Sequence, residues 1–381
     1  MTNVEERLKN ALEKREEGGN LRRLSTRGAQ VDFFSNDYLG LAHNIDLQNI
    51  IKEQYDAVKE KSTGATGSRL LSGNSPYYEE LEIYLANIFK GETALVFNSG
   101  YTANLAIFSS IPQKGDTIIY DELIHACIKE GSRLSFANRF SFRHNDLQDL
   151  ESKLLKAKGP KFVAIESVYS MDGDFAPVKE VVELCKKYEA WLIVDEAHGT
   201  GVFGENGSGW VCNLGLEQHF FIRTYTFGKA IGSHGACVVA SKVVIEYLVN
   251  FARSFIYTTA LPFHNLVSIR SAFDYLSRHG ELQRQLQERI KFFRDKINDA
   301  KNSNPLFDYI DSKSAIQAIL VPGNERAKNL AAKLIENGFD VRPILSPTVQ
   351  EGKERIRICL HAYNSFGEIE ELVKSIQTHT N

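Results

Sequence analysis

The sequence predicts an α/β protein: a large domain built on a mostly parallel central sheet, then a smaller C-terminal α/β domain. Two observations carry this. Between Thr93 and Ala240 short apolar runs alternate with helical segments, the pattern of strands joined by crossover helices. Beyond them a long charged helix precedes a second strand–helix–strand set. The 381 residues suit two domains at roughly 100–200 residues each. We place an N-terminal segment at 1–45, a large domain at 46–262 and a small domain at 263–381.

The elements follow in order. A charged helix opens the chain and ends at Gly18-Gly19, where glycine suits a helix C-terminus. Ser75-Pro76 opens a second helix, with Leu81, Tyr84, Leu85 and Ile88 at helical spacing and Gly91 as its stop. Thr93–Phe97, Thr117–Tyr120, Phe162–Glu166, Trp191–Asp195 and Ala236–Ala240 read as buried strands. Leu123–Ser132 and Val178–Tyr188 read as helices between them. After the helix near Glu281–Ala300, Ala315–Val321, Glu325–Asn337 and Arg355–Leu360 read as strand, helix and strand.

Composition narrows the function classes. Lys plus Arg number 45 and Asp plus Glu 48, so the formal charge is −3. That gives no general attraction to nucleic acid or an anionic membrane. No run approaches 18 apolar residues, and the start lacks the apolar core of a secretory signal. A cytoplasmic location is the expectation. The five cysteines are widely spaced without a CxxC pair. They suit buried small hydrophobes better than disulfides or a zinc site, and no metal is expected.

Three features carry chemistry. Lys229 sits in Thr226-Phe227-Gly228-Lys229-Ala230-Ile231-Gly232. A lysine that must touch a flat aromatic cofactor benefits from glycine neighbours, and desolvated lysines form Schiff bases. An ordinary loop lysine also fits these residues. Asp195 ends the apolar run Trp191–Val194, at the strand end where open α/β sheets place ligands. Pyridoxal phosphate needs a carboxylate against its pyridine nitrogen. His198, three residues on, is placed to reach the ring oxygen; a turn cap and a structural histidine are the other reading. Ser99, Gly100 and Tyr101 lie where a strand gives way to a helix, and free N–H groups at a helix start bind phosphate. A plain cap is the alternative. Together the three are in the order and setting that pyridoxal phosphate requires. Gly199-Thr200-Gly201-Val202-Phe203-Gly204 spells the dinucleotide fingerprint, but the residues after it do not begin a helix, so its context fails.

The motifs SNDYLGL (35–41), TGSRLLSGN (66–74), FNSGYTAN (97–104), SVYSMDGDFAPV (167–178), VDEAHGTGVFGENGSG (194–209), TFGKAIG (226–232) and YTTALP (257–262) resemble the α-oxoamine synthases. These are fold-type-I pyridoxal-phosphate enzymes, and the resemblance spans nearly the whole chain. It implies that Lys229 is the Schiff-base lysine and the base for the substrate Cα proton. It implies Asp195 at the pyridine nitrogen, His198 and Ser170 near the phenolic oxygen, and His125 on the ring face. Gly100, Tyr101 and Thr226 would hold the phosphate. Thr258 and Thr259 would reach the phosphate of a neighbouring subunit, making the site the product of a homodimer. Arg357 and Asn36 would hold the amino-acid carboxylate, and Thr348 would touch substrate. The implied partners are an amino acid and an acyl thioester, carried by CoA or an acyl carrier protein. Chain length, His198-Gly199-Thr200-Gly201 and Leu21-Arg22-Arg23 point within the family to L-alanine and a pimeloyl thioester. Arg22 would then receive the pimeloyl carboxylate. Glycine with acetyl, or serine with palmitoyl, are the alternatives.

Overall fold

The computed structural model describes residues 3–24, 26, 28, 30–303 and 308–379. Short runs rich in β-branched and aromatic residues form its strands. Seven of them make one sheet. In spatial order they are Thr93–Phe97, Ala236–Ala240, Ile222–Thr226, Ala190–Asp195, Lys161–Glu166, Thr117–Asp121 and Asn138–Phe142. Ala236–Ala240 runs antiparallel to both its neighbours, and the other six are parallel. Successive residues of a strand point to opposite faces, and two cores result. Ile118, Ala164 and Ile193 join one with the helices Gly100–Ser110 and Ala126–Leu134. Ile119, Val163 and Leu192 join the other with Leu147–Lys156 and Val178–Lys187.

Two strands of this sheet escape the sequence reading. Asn138–Phe142 lies at the sheet edge with its first four residues exposed, so it shows no apolar alternation. Ile222–Thr226 is wholly buried but polar at Arg223, Thr224 and Thr226. Arg223 is satisfied there by the Phe89 carbonyl at 2.6 Å and the Tyr225 hydroxyl at 2.7 Å. The helix expected over Leu123–Ser132 starts instead at Ala126. Asp121 accepts the Leu123 N–H at 2.8 Å, and this turn holds the chain out of the helix until His125 caps it.

The chain divides into two units: residues 36–170 with 175–285, and residues 1–35 with 171–174 and 286–381. The division therefore falls at 285/286 rather than 262/263. The helix Phe263–Arg278 buries nine side chains and packs against Ile45–Ala57 and Pro76–Ile88 of the larger unit. The N-terminal segment also proves not to stand alone, because Val31–Asp32 pairs in parallel with Phe339–Asp340.

The smaller unit holds a four-stranded antiparallel sheet, ordered Arg342–Ile344, Arg355–Cys359, Ile316–Leu320 and Asp308–Ile310. The helices Asn324–Glu336 and Phe366–His379 belong to the same unit. Asp32 accepts hydrogen bonds from Ser35 Oγ at 2.6 Å and the Tyr363 hydroxyl at 2.8 Å. Burial alone would raise its pKa, but the charge of His361 and the Ser35 bonds hold it well below the carboxylate range. No helix among the described residues is long and apolar enough to cross a membrane.

Candidate active site

Parallel strands bring their carboxyl ends together, and three of them build the floor of a pocket in the larger unit. Glu166 sits beside Asp195 in register, and Asp195 beside Thr224. Asp195 is buried. Its Oδ1 accepts the Ala197 N–H at 2.8 Å, and its Oδ2 accepts the Asn104 Nδ2–H at 2.7 Å. Lys229 follows the next strand, with its Nζ 3.0 Å from His198 Nε2. His198 Nδ1 lies 2.8 Å from the Tyr38 hydroxyl, which donates to Asn36 Oδ1 at 3.0 Å. Thr226 donates to the Ala197 carbonyl at 3.3 Å.

The helix Gly100–Ser110 points its first turn into the same pocket. Ser99 and Thr102 form a reciprocal capping box. The Ser99 hydroxyl thus serves the helix, while the first-turn N–H groups of Gly100 and Tyr101 have no intrahelical acceptor. A Cβ on Gly100 would stand 2.5 Å from Thr226 Cγ2, so glycine keeps this helix end open.

His125 caps the helix Ala126–Leu134. Its N–H donates to Glu166 Oε1 at 2.6 Å, and its Nδ1 lies 2.9 Å from Cys127 Sγ. The residue stays solvent-accessible. Its pKa is lowered, first by hydration lost against the pocket wall; Lys229 and Lys129 push the same way and Asp195 opposes them. Glu166 is fully buried, and its pKa is raised by that burial and by the Asp195 charge.

Of the residues expected from sequence, the pocket gathers Lys229, Asp195, His198, Thr226, Ser99, Gly100, Tyr101 and His125. Asn36 joins them through Tyr38. Ser170 is buried in the same unit but does not line this pocket. Thr258 and Thr259 also lie outside its lining, where the Asn98 amide donates to Thr258 Oγ1 at 3.4 Å and the Thr259 carbonyl at 2.7 Å. Arg22, Thr348 and Arg357 belong to the smaller unit. Arg22 and Thr348 are exposed, and Arg357 donates to Cys359 Sγ at 2.9 Å. Sequence reasoning assigned no role to Asn104, Cys127, Glu166 or Tyr38. The available signal was a polar residue at a buried helical position, Asn104, one turn beyond the Ser-Gly cap.

The argument from Gly232 needs revision. Gly232 has φ +64°, and a Cβ there would lie 2.3 Å from the Ala42 nitrogen. Protein backbone rather than a cofactor demands that glycine. Around Gly228 the nearest heavy atom to an added Cβ is 3.8 Å away. The Gly199–Gly204 fingerprint is a loop wrapped on the Glu196 carboxylate, which accepts from Ser167 Oγ, Trp210 N and Val211 N at 2.8, 3.0 and 2.6 Å. Only the three-residue turn Glu205–Gly207 and the four-residue helix Trp210–Asn213 follow it.

A buried carboxylate, an amine, an open helix N-terminus and a histidine face converge here. The buried Asn104 Oδ1 has no hydrogen-bond partner among the described residues. This donor set fits a phosphorylated pyridine aldehyde. The family described as aminotransferase class I and II matches residues 29–376. An 8-amino-7-oxononanoate synthase of Emericella nidulans is 42% identical over 97% of this chain and 94% of its own. The chain belongs to the α-oxoamine synthases, within the aminotransferase class I and II family. Its cofactor is pyridoxal phosphate, and acyl transfer is the activity of this branch. Among solved structures, an 8-amino-7-oxononanoate synthase from Francisella tularensis has a TM-score of 0.78 at 31% identity, covering 92% of this chain and 97% of that one. A Sphingomonas wittichii serine palmitoyltransferase has a TM-score of 0.85 at 30% identity, covering 92% and 87%.

Proposed function

We propose that this α-oxoamine synthase joins L-alanine to a pimeloyl thioester, giving 8-amino-7-oxononanoate, CO2 and the free thiol carrier. The observation that carries the reading is the pairing in one pocket of the Lys229 amine and the buried Asp195 carboxylate. The product is argued from the 42% identical relative named for it. In the reaction the amino-acid Cα bonds to the acyl carbonyl carbon. The thioester C–S bond breaks, and the Cα–carboxylate bond breaks to release CO2. When bound, pyridoxal phosphate supplies an electron sink for the charge left on Cα.

The protein's own groups divide the remaining work. Lys229 takes the Cα proton on Nζ and returns a proton to Cα once CO2 has left. Asp195 holds a proton at the pyridine nitrogen as its ion partner, and Asn104 and Ala197 orient it. Gly100, Tyr101 and Thr226 bind the phosphate, aided by the helix N-terminus. His198 would serve the phenolic oxygen, and His125 would cover the ring face. Arg357 and Asn36 receive the amino-acid carboxylate, for which a planar guanidinium suits bidentate pairing. Thr348 touches substrate, and Arg22 pairs with the pimeloyl carboxylate.

A homodimer in the cytoplasm is part of this reading. Thr258 and Thr259 would serve the partner subunit's phosphate. Leu70, Leu71 and Tyr257 beside them are more than half exposed as single chains, and Ala260 bonds back to Gly67 at 3.0 Å. Light scattering should give twice the chain mass.

The deciding assay measures CoA release with L-alanine, glycine and L-serine against acetyl-, pimeloyl- and palmitoyl-CoA. L-Alanine with pimeloyl-CoA should be the best pair. Arg22→Ala should raise the pimeloyl KM and spare acetyl turnover, since only the pimeloyl chain ends in a second carboxylate for a guanidinium to pair with. A KM change under about twofold refutes the role of Arg22. A preference for serine and palmitoyl, or glycine and acetyl, refutes the substrate assignment while keeping the family.

A further inference from the structure

We infer that Cys127 is a positioning residue whose thiol, together with its main-chain N–H, holds His125 in the tautomer protonated on Nε2, at the end of a hydrogen-bonded chain running through Asn104 to Asp195. The inference rests on the proposed role of this pocket, in which His125 covers the cofactor ring.

The donor directions follow from groups that have no choice. The Asp195 carboxylate only accepts. The Asn104 amide group 2.7 Å from its Oδ2 must therefore be NH2. That nitrogen also lies 3.3 Å from Cys127 Sγ, so its two hydrogens serve the carboxylate and the sulfur. At the other end, the backbone N–H of Cys127 only donates, and it points at His125 Nδ1 from 3.3 Å. Nδ1 must then offer a lone pair, and the neutral ring carries its proton on Nε2. The 2.9 Å approach of Sγ to the same Nδ1 is thus S–H donating to nitrogen. Sulfur accepts from Asn104 and donates to His125, and both of its capacities are used.

The surroundings favour this arrangement. Burial and the Asp195 charge push the Cys127 thiol up to about 12, so it remains a donor at neutral pH. His125 sits at a helix N-terminus, where a second positive group is disfavoured. The groups that act on the ring are the charges of Asp195, Lys229 and Lys129. Glu166 holds its main chain, and the Tyr101 ring stands edge-on with centroids 6.5 Å apart. Packing alone requires a small apolar side chain at position 127. It does not require a donor between an imidazole and an amide that also holds Asp195.

The test uses protein labelled with 15N-histidine, with imidazole nitrogens read by NMR in cofactor-free and cofactor-loaded protein. His125→Gln identifies the signal. Wild type should show a single Nε2–H tautomer in both forms. Cys127→Ala keeps the longer main-chain N–H bond to Nδ1 and loses the thiol bond, so it should weaken the preference for the Nε2–H tautomer and raise the His125 pKa by roughly 0.5 to 1 unit, the worth of one hydrogen bond to the neutral form. Cys127→Ser keeps a donor and should restore the wild-type tautomer. In the loaded enzyme Cys127→Ala should lower kcat more than it changes KM. Protonated Nδ1 in neutral wild-type protein overturns the inference. So does a Cys127→Ala protein whose His125 tautomer and titration match wild type, even if its activity falls. The cofactor-free measurement needs no substrate, so a failed substrate assignment and a failed tautomer assignment give different results.

Discussion

Replacing Asp195 by Asn tests the centre of the site, and the structure sets the size of the effect. The Ala197 N–H donates to Oδ1 at 2.8 Å, so the new amide must keep its oxygen there and turn NH2 toward Asn104. Asn104 must then flip to present its Oδ1, which has no partner at present. The flip exchanges one charge-assisted hydrogen bond for a neutral one, costing about 1–2 kcal/mol of stability. It also removes the Asn104 donor from Cys127. Activity should suffer more, because the lost charge faces the position where the reaction needs a protonated ring nitrogen. A preorganised electrostatic partner of this kind is worth roughly 3–4 kcal/mol, a fall of about 10²–10³-fold in kcat. The assay is CoA release by the cofactor-loaded variant, with α-proton exchange of L-alanine measured alongside. The variant should retain the cofactor and lose both activities together. A loss of only a few-fold, or proton exchange at the wild-type rate, would show that Asp195 merely shapes the turn.

Lys229→Ala should abolish covalent attachment of the cofactor: borohydride reduction and peptide mapping should find the pyridoxyl group on Lys229 in wild type and on no lysine in the variant. A label on any other lysine refutes the assignment. Gly232→Ala must place a Cβ 2.3 Å from the Ala42 nitrogen at φ +64°, so it should destabilise the fold by at least about 2 kcal/mol; an unchanged urea midpoint would mean the loop shifts freely. Glu166 binds its proton more tightly when folded than at its ordinary 4.5. Its contribution is therefore complete below about pH 4.5 and is lost as pH rises through the raised folded value. Urea midpoints of the cofactor-free protein should fall as pH rises from about 4.5 to about 8, less so in Glu166→Gln, which keeps an acceptor for the His125 N–H. Equal slopes for the two proteins would assign the pH dependence elsewhere.

Elements whose signal lies within a few residues were legible in the sequence. Ser75-Pro76 does open the helix Pro76–Ile88, with the Ser75 side chain accepting the Tyr78 N–H. Thr93–Phe97 and Ala236–Ala240 are strands with those bounds. Each depends on local steric and capping preferences that the nearby residues specify by themselves. The same holds for Asp195 at a strand end and for Ser99-Gly100 at a helix start. Ile222–Thr226 was hidden because polar residues interrupt its apolar run, and the burial of Arg223 depends on a carbonyl 134 positions away. The boundary at 285/286 was hidden because the helix Phe263–Arg278 carries no mark of the surface that buries it. Cys127 looked like any small buried cysteine. What it does follows from Asn104, 23 positions before it, and from Asp195, 91 positions beyond Asn104. A hydrogen bond needs its two atoms about 3 Å apart, and over such separations only the folded sheet and its covering helices bring them there.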